Sequence, residues 1–97
     1  MPYYNRQPRV ISFTLGRIVM TANAVEKLSL DAVATGILRH SRGDWGDVSE
    51  EDRCRNDSAL LKGLELHSAY HDRRGTAFWV ITEATRSLTT VLLPADY

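Results

Sequence analysis

Residues 64–93 carry three strand-length runs separated by two short turns, and this stretch restricts the fold more than any other part of the chain. Leu64, Leu66, Ser68 and Tyr70 alternate with Glu65, His67, Ala69 and His71, the period of two that marks a strand with two unlike faces. His71-Asp-Arg-Arg-Gly75 follows as a hairpin connection, with glycine available for a positive-φ position. Residues 76–82 and 87–93 are the next β-branched runs. They are joined by Glu83-Ala-Thr-Arg-Ser87 and closed by Pro94, which cannot extend a ladder. Three strands linked this closely predict an antiparallel meander, with Trp79, Ile81, Val91 and Leu93 as its expected core residues.

The preceding half reads differently. Residues 1–8 hold two prolines and show no period, so a flexible arm is expected there and a single domain over residues 9–97. Val10-Ile-Ser-Phe-Thr and Arg17-Ile-Val-Met-Thr are short β-branched runs divided by Gly16, the second being the firmer strand. Asn23 with Glu26 has capping-box spacing for a short helix. Ser29 can cap a longer one, in which Leu30, Val33, Ala34, Ile37 and Leu38 fall on one face, and Gly43 ends it. After the loop Gly43-Asp-Trp-Gly-Asp-Val, a second capping box at Ser49-Glu-Glu-Asp52 opens a helix with a thin apolar face that Gly63 stops. The expected fold is therefore α+β, an antiparallel sheet made of the N-terminal strand and the meander, packed on two or three short helices.

Composition narrows the functional classes. A chain of 97 residues has room for one modest core and no large cleft. Its formal net charge of zero argues against broad electrostatic binding to nucleic acid or anionic membranes, since that affinity comes from neutralising many phosphates. Lys27 and Lys62 are the only lysines among 12 cationic residues, and the arginine bias suits carboxylate, phosphate and aromatic partners as well as it suits GC-rich coding. The single cysteine, Cys54, permits no internal disulfide and no cysteine cage for a metal. With no apolar leader and no run long enough to span a bilayer, a cytoplasmic protein is expected.

Candidate sites are few. Glu83 and Arg86, in a hydroxyl-rich turn with Thr82, Ser87, Thr89 and Thr90 on or beside it, pair a base with a cation that could stabilise a charged phosphodiester transition state. The same residues are common in hairpins, where they would pair with each other and the hydroxyls bond across strands, and this is the favoured reading of the two. His40, between Arg39 and Arg42, titrates near neutrality and sits at the rim of the helical apolar stripe, as acid or as packing residue. His67 and His71 lie about 13 Å apart on a strand, too far for one ion, so no metal and no cofactor are expected. Trp45 reads either as a plug over the core or as an exposed anchor for a partner, with Asp44, Asp47 and Glu51 as the carboxylates beside it.

The blocks Leu15-Gly-Arg-Ile-Val, Arg39-His-Ser-Arg-Gly-Asp-Trp-Gly-Asp47, Ser68-Ala-Tyr70 and Trp79 through Tyr97 resemble a family of small bacterial proteins carried on plasmids and other mobile elements. Members commonly have Asp where this chain has Thr85. The resemblance implies a mobile-element accessory protein and carries no activity with it. More loosely, the order strand, helices, meander is similar to that of RelE-type and barnase-like ribonucleases. That likeness implies roles for Tyr70, Glu83 and Arg86 beside the sheet, with Glu83 or His40 as base. Two functional classes follow. The first is a non-enzymatic module binding an unidentified host or plasmid protein, as regulator or host-defence inhibitor; the second is a metal-independent ribonuclease acting on RNA or the ribosome. Self-association through an unpaired sheet edge is left open.

Overall fold

Hydrogen-bonding demand and the apolar pattern of the strands organise the molecule around one twisted sheet. The computed structural model describes residues 13–97. In chain order the elements are β1 (Arg17–Met20), α1 (Ala22–Lys27), α2 (Leu30–Ser41), α3 (Glu50–Lys62), β2 (Leu66–His71), β3 (Ala77–Thr82) and β4 (Leu88–Leu92), followed by a 3-10 turn at Pro94–Asp96. The expected arm lies outside the described residues, as does most of the run at residues 10–14; Phe13 and Thr14 are not in a strand.

The sheet order is β1-β4-β3-β2. β2, β3 and β4 pair antiparallel, while β1 joins β4 in parallel, so the sheet is mixed rather than antiparallel throughout. Two turns reverse the chain twice, leaving β4 pointing the same way as β2. β1 opens the chain and the helices after it carry the backbone to β2 at the far edge, so β4, the last strand, returns beside β1 in the same sense across the long connection that parallel neighbours need.

Register assigns the faces. Ser68 lies opposite Val80 and Tyr70 opposite Phe78, and Val80 and Thr82 lie opposite Val91 and Thr89. These side chains form one face, and with Ala24 of α1 and Val33 of α2 the apolar ones among them make the larger core cluster, which also includes Leu28 and Leu93. Of the expected core residues, Val91 and Leu93 lie in this cluster; Trp79 and Ile81 belong to the opposite face, where Ile81 is buried too, and Phe78 and Val80 take the positions facing α1 and α2. Burying each such side chain contributes about 1.5–3 kcal/mol.

α2 begins at Ser29, whose hydroxyl accepts the N–H of Ala32, as its sequence predicts. Its buried line is Val33, Gly36 and His40, however, and Leu30 is 80% and Leu38 49% exposed. Gly36 is decisive here: a Cβ at this position would stand 2.8 Å from the Phe78 ring and 3.3 Å from that of Tyr70. Only a bare backbone lets the helix settle this closely on the two rings. For α1 the cap is Thr21 rather than Asn23. Thr21 Oγ1 accepts the N–H of Ala24 and donates to Asp96, while the Asn23 amide donates to the other Asp96 oxygen at 2.7 Å.

The free edge of β2 is closed by side chain and loop. The Asn56 amide of α3 donates to the His67 carbonyl at 2.8 Å and accepts the His67 N–H at 3.1 Å. One step along, Ala69 donates to the Trp45 carbonyl and accepts from the Asp47 N–H. Each outward backbone group of His67 and Ala69 thus has a partner, which blunts an edge that would otherwise recruit another strand. Trp45, Ala59 and Leu66 form the smaller core cluster beneath this closure.

Candidate functional site

The residues with catalytic potential are held apart, and most are engaged in structure. His40, in the last turn of α2, has no exposed surface. Its Nδ1 lies 2.6 Å from Ser68 Oγ and its Nε2 2.8 Å from Thr82 Oγ1. Thr82 and Thr89 hydroxyls are 2.7 Å apart, and Thr89 donates to the Leu15 carbonyl at 2.6 Å. Counting protons assigns the rest. Thr89 gives its only hydrogen to Leu15, so it accepts from Thr82; Thr82 then accepts from His40 Nε2–H, and Nδ1 accepts from Ser68. The chain of bonds links α2 to β2, β3 and β4 and to the segment before β1. Burial, with smaller contributions from the charges of His67 and Arg86, pushes the imidazole down to about 4, so it is neutral at pH 7.

Arg86 also serves the fold. It sits at φ 62, and its guanidinium donates to the carbonyls of Leu64 at 2.7 Å, Glu83 at 3.1 Å and Ala59 at 3.3 Å. It therefore caps the end of α3 and ties it to the β3–β4 turn. The expected pairing of the Glu83 and Arg86 side chains is absent among the described residues; Arg86 reaches the Glu83 backbone carbonyl, and the Glu83 carboxylate is exposed. Tyr70 is buried and donates its hydroxyl to the Asp44 carbonyl at 2.6 Å, and burial pushes its phenol well above the usual range.

Of the residues expected to meet a partner, Trp45 is 2% exposed and takes the plug position. Its indole N–H donates to Asp57 at 2.9 Å, and its ring meets His40 edge-on at 5.6 Å. The flanking carboxylates face outward. Asp44 receives a two-pronged bond from Arg39, at 2.7 and 3.1 Å, and that bond is the main cause holding its carboxyl below the usual range. Asp47 pairs with His71 at 2.6 Å. Glu51 stands away from them on exposed α3, paired with Arg55.

Arg39 and His71 in turn line a groove of about 590 Å3 between the α1–α2 wall and the β2–β3 turn. Gly36, Phe78 and Tyr70 lie at its base, and the Arg39 guanidinium lies over the Tyr70 ring, 4.8 Å from its centre. The far wall is the turn carrying Arg73 and Arg74. The sequence of that turn marks a hairpin, and its two adjacent cations, with no acidic neighbour beyond Asp72, are the one local signal of this wall. Gly36, hidden in a helical pattern, left none. A second recess of about 480 Å3, lined by Asn56, His67 and Trp79 among others, opens beside α3.

Among the described residues no helix is long and apolar enough to cross a membrane, and no group of His, Cys, Asp and Glu side chains is arranged to hold a metal ion. No family model, curated protein or solved structure matches the chain.

Proposed function

We propose that the chain is a non-catalytic protein-binding module, an accessory protein of a mobile element, which receives a segment of its partner in the groove between α1–α2 and the β2–β3 turn. One observation carries the reading. The groove has a fixed base and rim, with Arg39 tied to Asp44 and His71 to Asp47, whereas His40, Tyr70 and Arg86 are engaged in holding the fold. Preorganised walls lower the ordering cost of association. A groove of this volume falls in the range of specific ligand sites. A regulator or an inhibitor of a host defence protein would need no more than this. The cytoplasm is its proposed setting, supported by a single free thiol, Cys54.

The test is capture of a partner from the host by tagged protein, comparing Thr35→Trp with Thr35→Ala. Thr35 is exposed on the helical wall, so tryptophan fills the groove without entering the core. Capture is expected to be lost with Trp and kept with Ala. Unchanged capture by Thr35→Trp would remove the groove from the reading. Cleavage of RNA by the wild-type chain, abolished in a normally folded Glu83→Gln variant, would replace the reading with the ribonuclease one.

A further inference from the structure

We infer that the groove selects an extended, acidic polypeptide segment, with its carboxylates directed at Arg73 and Arg74. This rests on the groove reading above and names the partner's chemistry. Arg73 and Arg74 are exposed, and among the described residues neither enters an ion pair. The turn beneath them is fixed. The Asp72 carboxylate accepts the N–H of Arg74 at 2.9 Å and of Thr76 at 2.8 Å, and Asp72 and Thr76 close a backbone bond at 3.0 Å. Two arginines are thereby carried at adjacent positions on a backbone that need not order on binding. Their planar forks match carboxylates in two-pronged pairs.

The opposite wall excludes the main rival. Glu26 and Asp31 line it, and among the described residues they too form no ion pair, so the walls do not bridge the groove. Lys27, on the same wall, shares its field with Asp96. A polyphosphate carries charge along its whole length and would be repelled by Glu26 and Asp31. The net charge of zero offers no compensating field. An extended polypeptide avoids this conflict, because successive side chains point to opposite sides. Acidic residues at every second position can face the arginines while uncharged ones face the helices.

Fluorescence anisotropy of labelled peptides against the full chain tests the inference, using alternating Glu–Val, Lys–Val and Gln–Val peptides and a short oligouridylate. The Glu–Val peptide is expected to bind best and to weaken with salt. Reversal of both arginines, R73E with R74E, is expected to weaken it by about fivefold or more and to favour Lys–Val instead. A neutral pair, R73Q with R74Q, serves if the reversed variant shifts the unfolding midpoint. Equal binding of the three peptides, preference for oligouridylate, or indifference to both arginine variants would overturn the inference. Loss of partner capture in Thr35→Trp, with capture and Glu–Val binding intact in the arginine variants, leaves the groove reading standing and removes the acidic segment. Capture that survives Thr35→Trp removes the groove reading itself.

Discussion

Replacing His40 with leucine tests whether the buried hydrogen-bonded chain stabilises the fold in the way its geometry implies. The variant keeps an apolar body of similar bulk and deletes both ring nitrogens. Ser68 then loses its acceptor at 2.6 Å and Thr82 its donor at 2.8 Å, in a region where neither residue has exposed surface. An abandoned buried polar group costs about 1–3 kcal/mol, so the expected loss at pH 7 is about 2–4 kcal/mol. For a domain of this size that lowers Tm by about 10–25 °C.

The pH dependence is the sharper readout. The imidazole titrates near 6.5 when unfolded and at about 4 in the fold, where burial disfavours its charged form. Between those values the unfolded chain binds the extra proton, so stability is fully present above about pH 6.5 and declines as pH falls toward about 4. At about 1.36 kcal/mol per unit, passing from pH 7 to pH 5 costs wild type about 2 kcal/mol from this group alone. Urea unfolding of wild type and His40→Leu at both values isolates it, since shifts at Asp44 and Asp96 act at lower pH and cancel between the proteins. His67, whose ring burial also depresses, is common to both. An identical pH slope in the two proteins would refute the argument, as would a variant as stable as wild type at pH 7.

Two further outcomes follow from the geometry. Asn56→Leu removes both bonds to the His67 backbone, so a loss of about 1–3 kcal/mol in urea unfolding is expected, with concentration-dependent self-association on gel filtration as the β2 edge opens; a monomer of unchanged stability would contradict the edge-closing role. Arg86→Lys keeps the charge but cannot reach three carbonyls from one planar group, so stability should fall by about 1 kcal/mol with partner capture unchanged. Full stability in that variant would contradict the capping role.

How much of this was legible in the chain depends on which force sets each feature. The β2–β3–β4 meander could be read because alternation and turn residues are local signals. The caps at Ser29 and Ser49 could be read because a hydroxyl and an amide three residues apart suffice. Strand direction could not: a period of two is the same in either sense, and the parallel pairing of β1 with β4 depends on where a long crossover returns. Thr21 is the α1 cap because the helix starts at Ala22, which places Asn23 inside it; the asparagine instead donates its amide to Asp96, 73 positions further on.

The partly misread face of α2 shows the same limit at the site itself. Apolar spacing selected Leu30, Val33, Ala34, Ile37 and Leu38; Val33 and Ile37 do pack on the core, but the sheet accepts Gly36 and His40, two residues with little hydrophobic signal, in place of Leu30, Ala34 and Leu38. Glycine is favoured there by what it lacks, since any Cβ would meet the Phe78 ring. Histidine is tolerated because hydroxyls on β2 and β3 satisfy both nitrogens and β4 continues the chain of bonds. Neither reason exists in the helix considered alone; both come from strands more than 25 residues downstream, as the His40–Ser68 separation of 28 shows. That coupling also forms the groove. Once Gly36 draws α2 onto Phe78 and Tyr70, Arg39 one turn along lies over the Tyr70 ring, and the β2–β3 turn supplies the opposite wall. The surface proposed for recognition is therefore a consequence of how the core packs, and no motif in the linear chain encodes it.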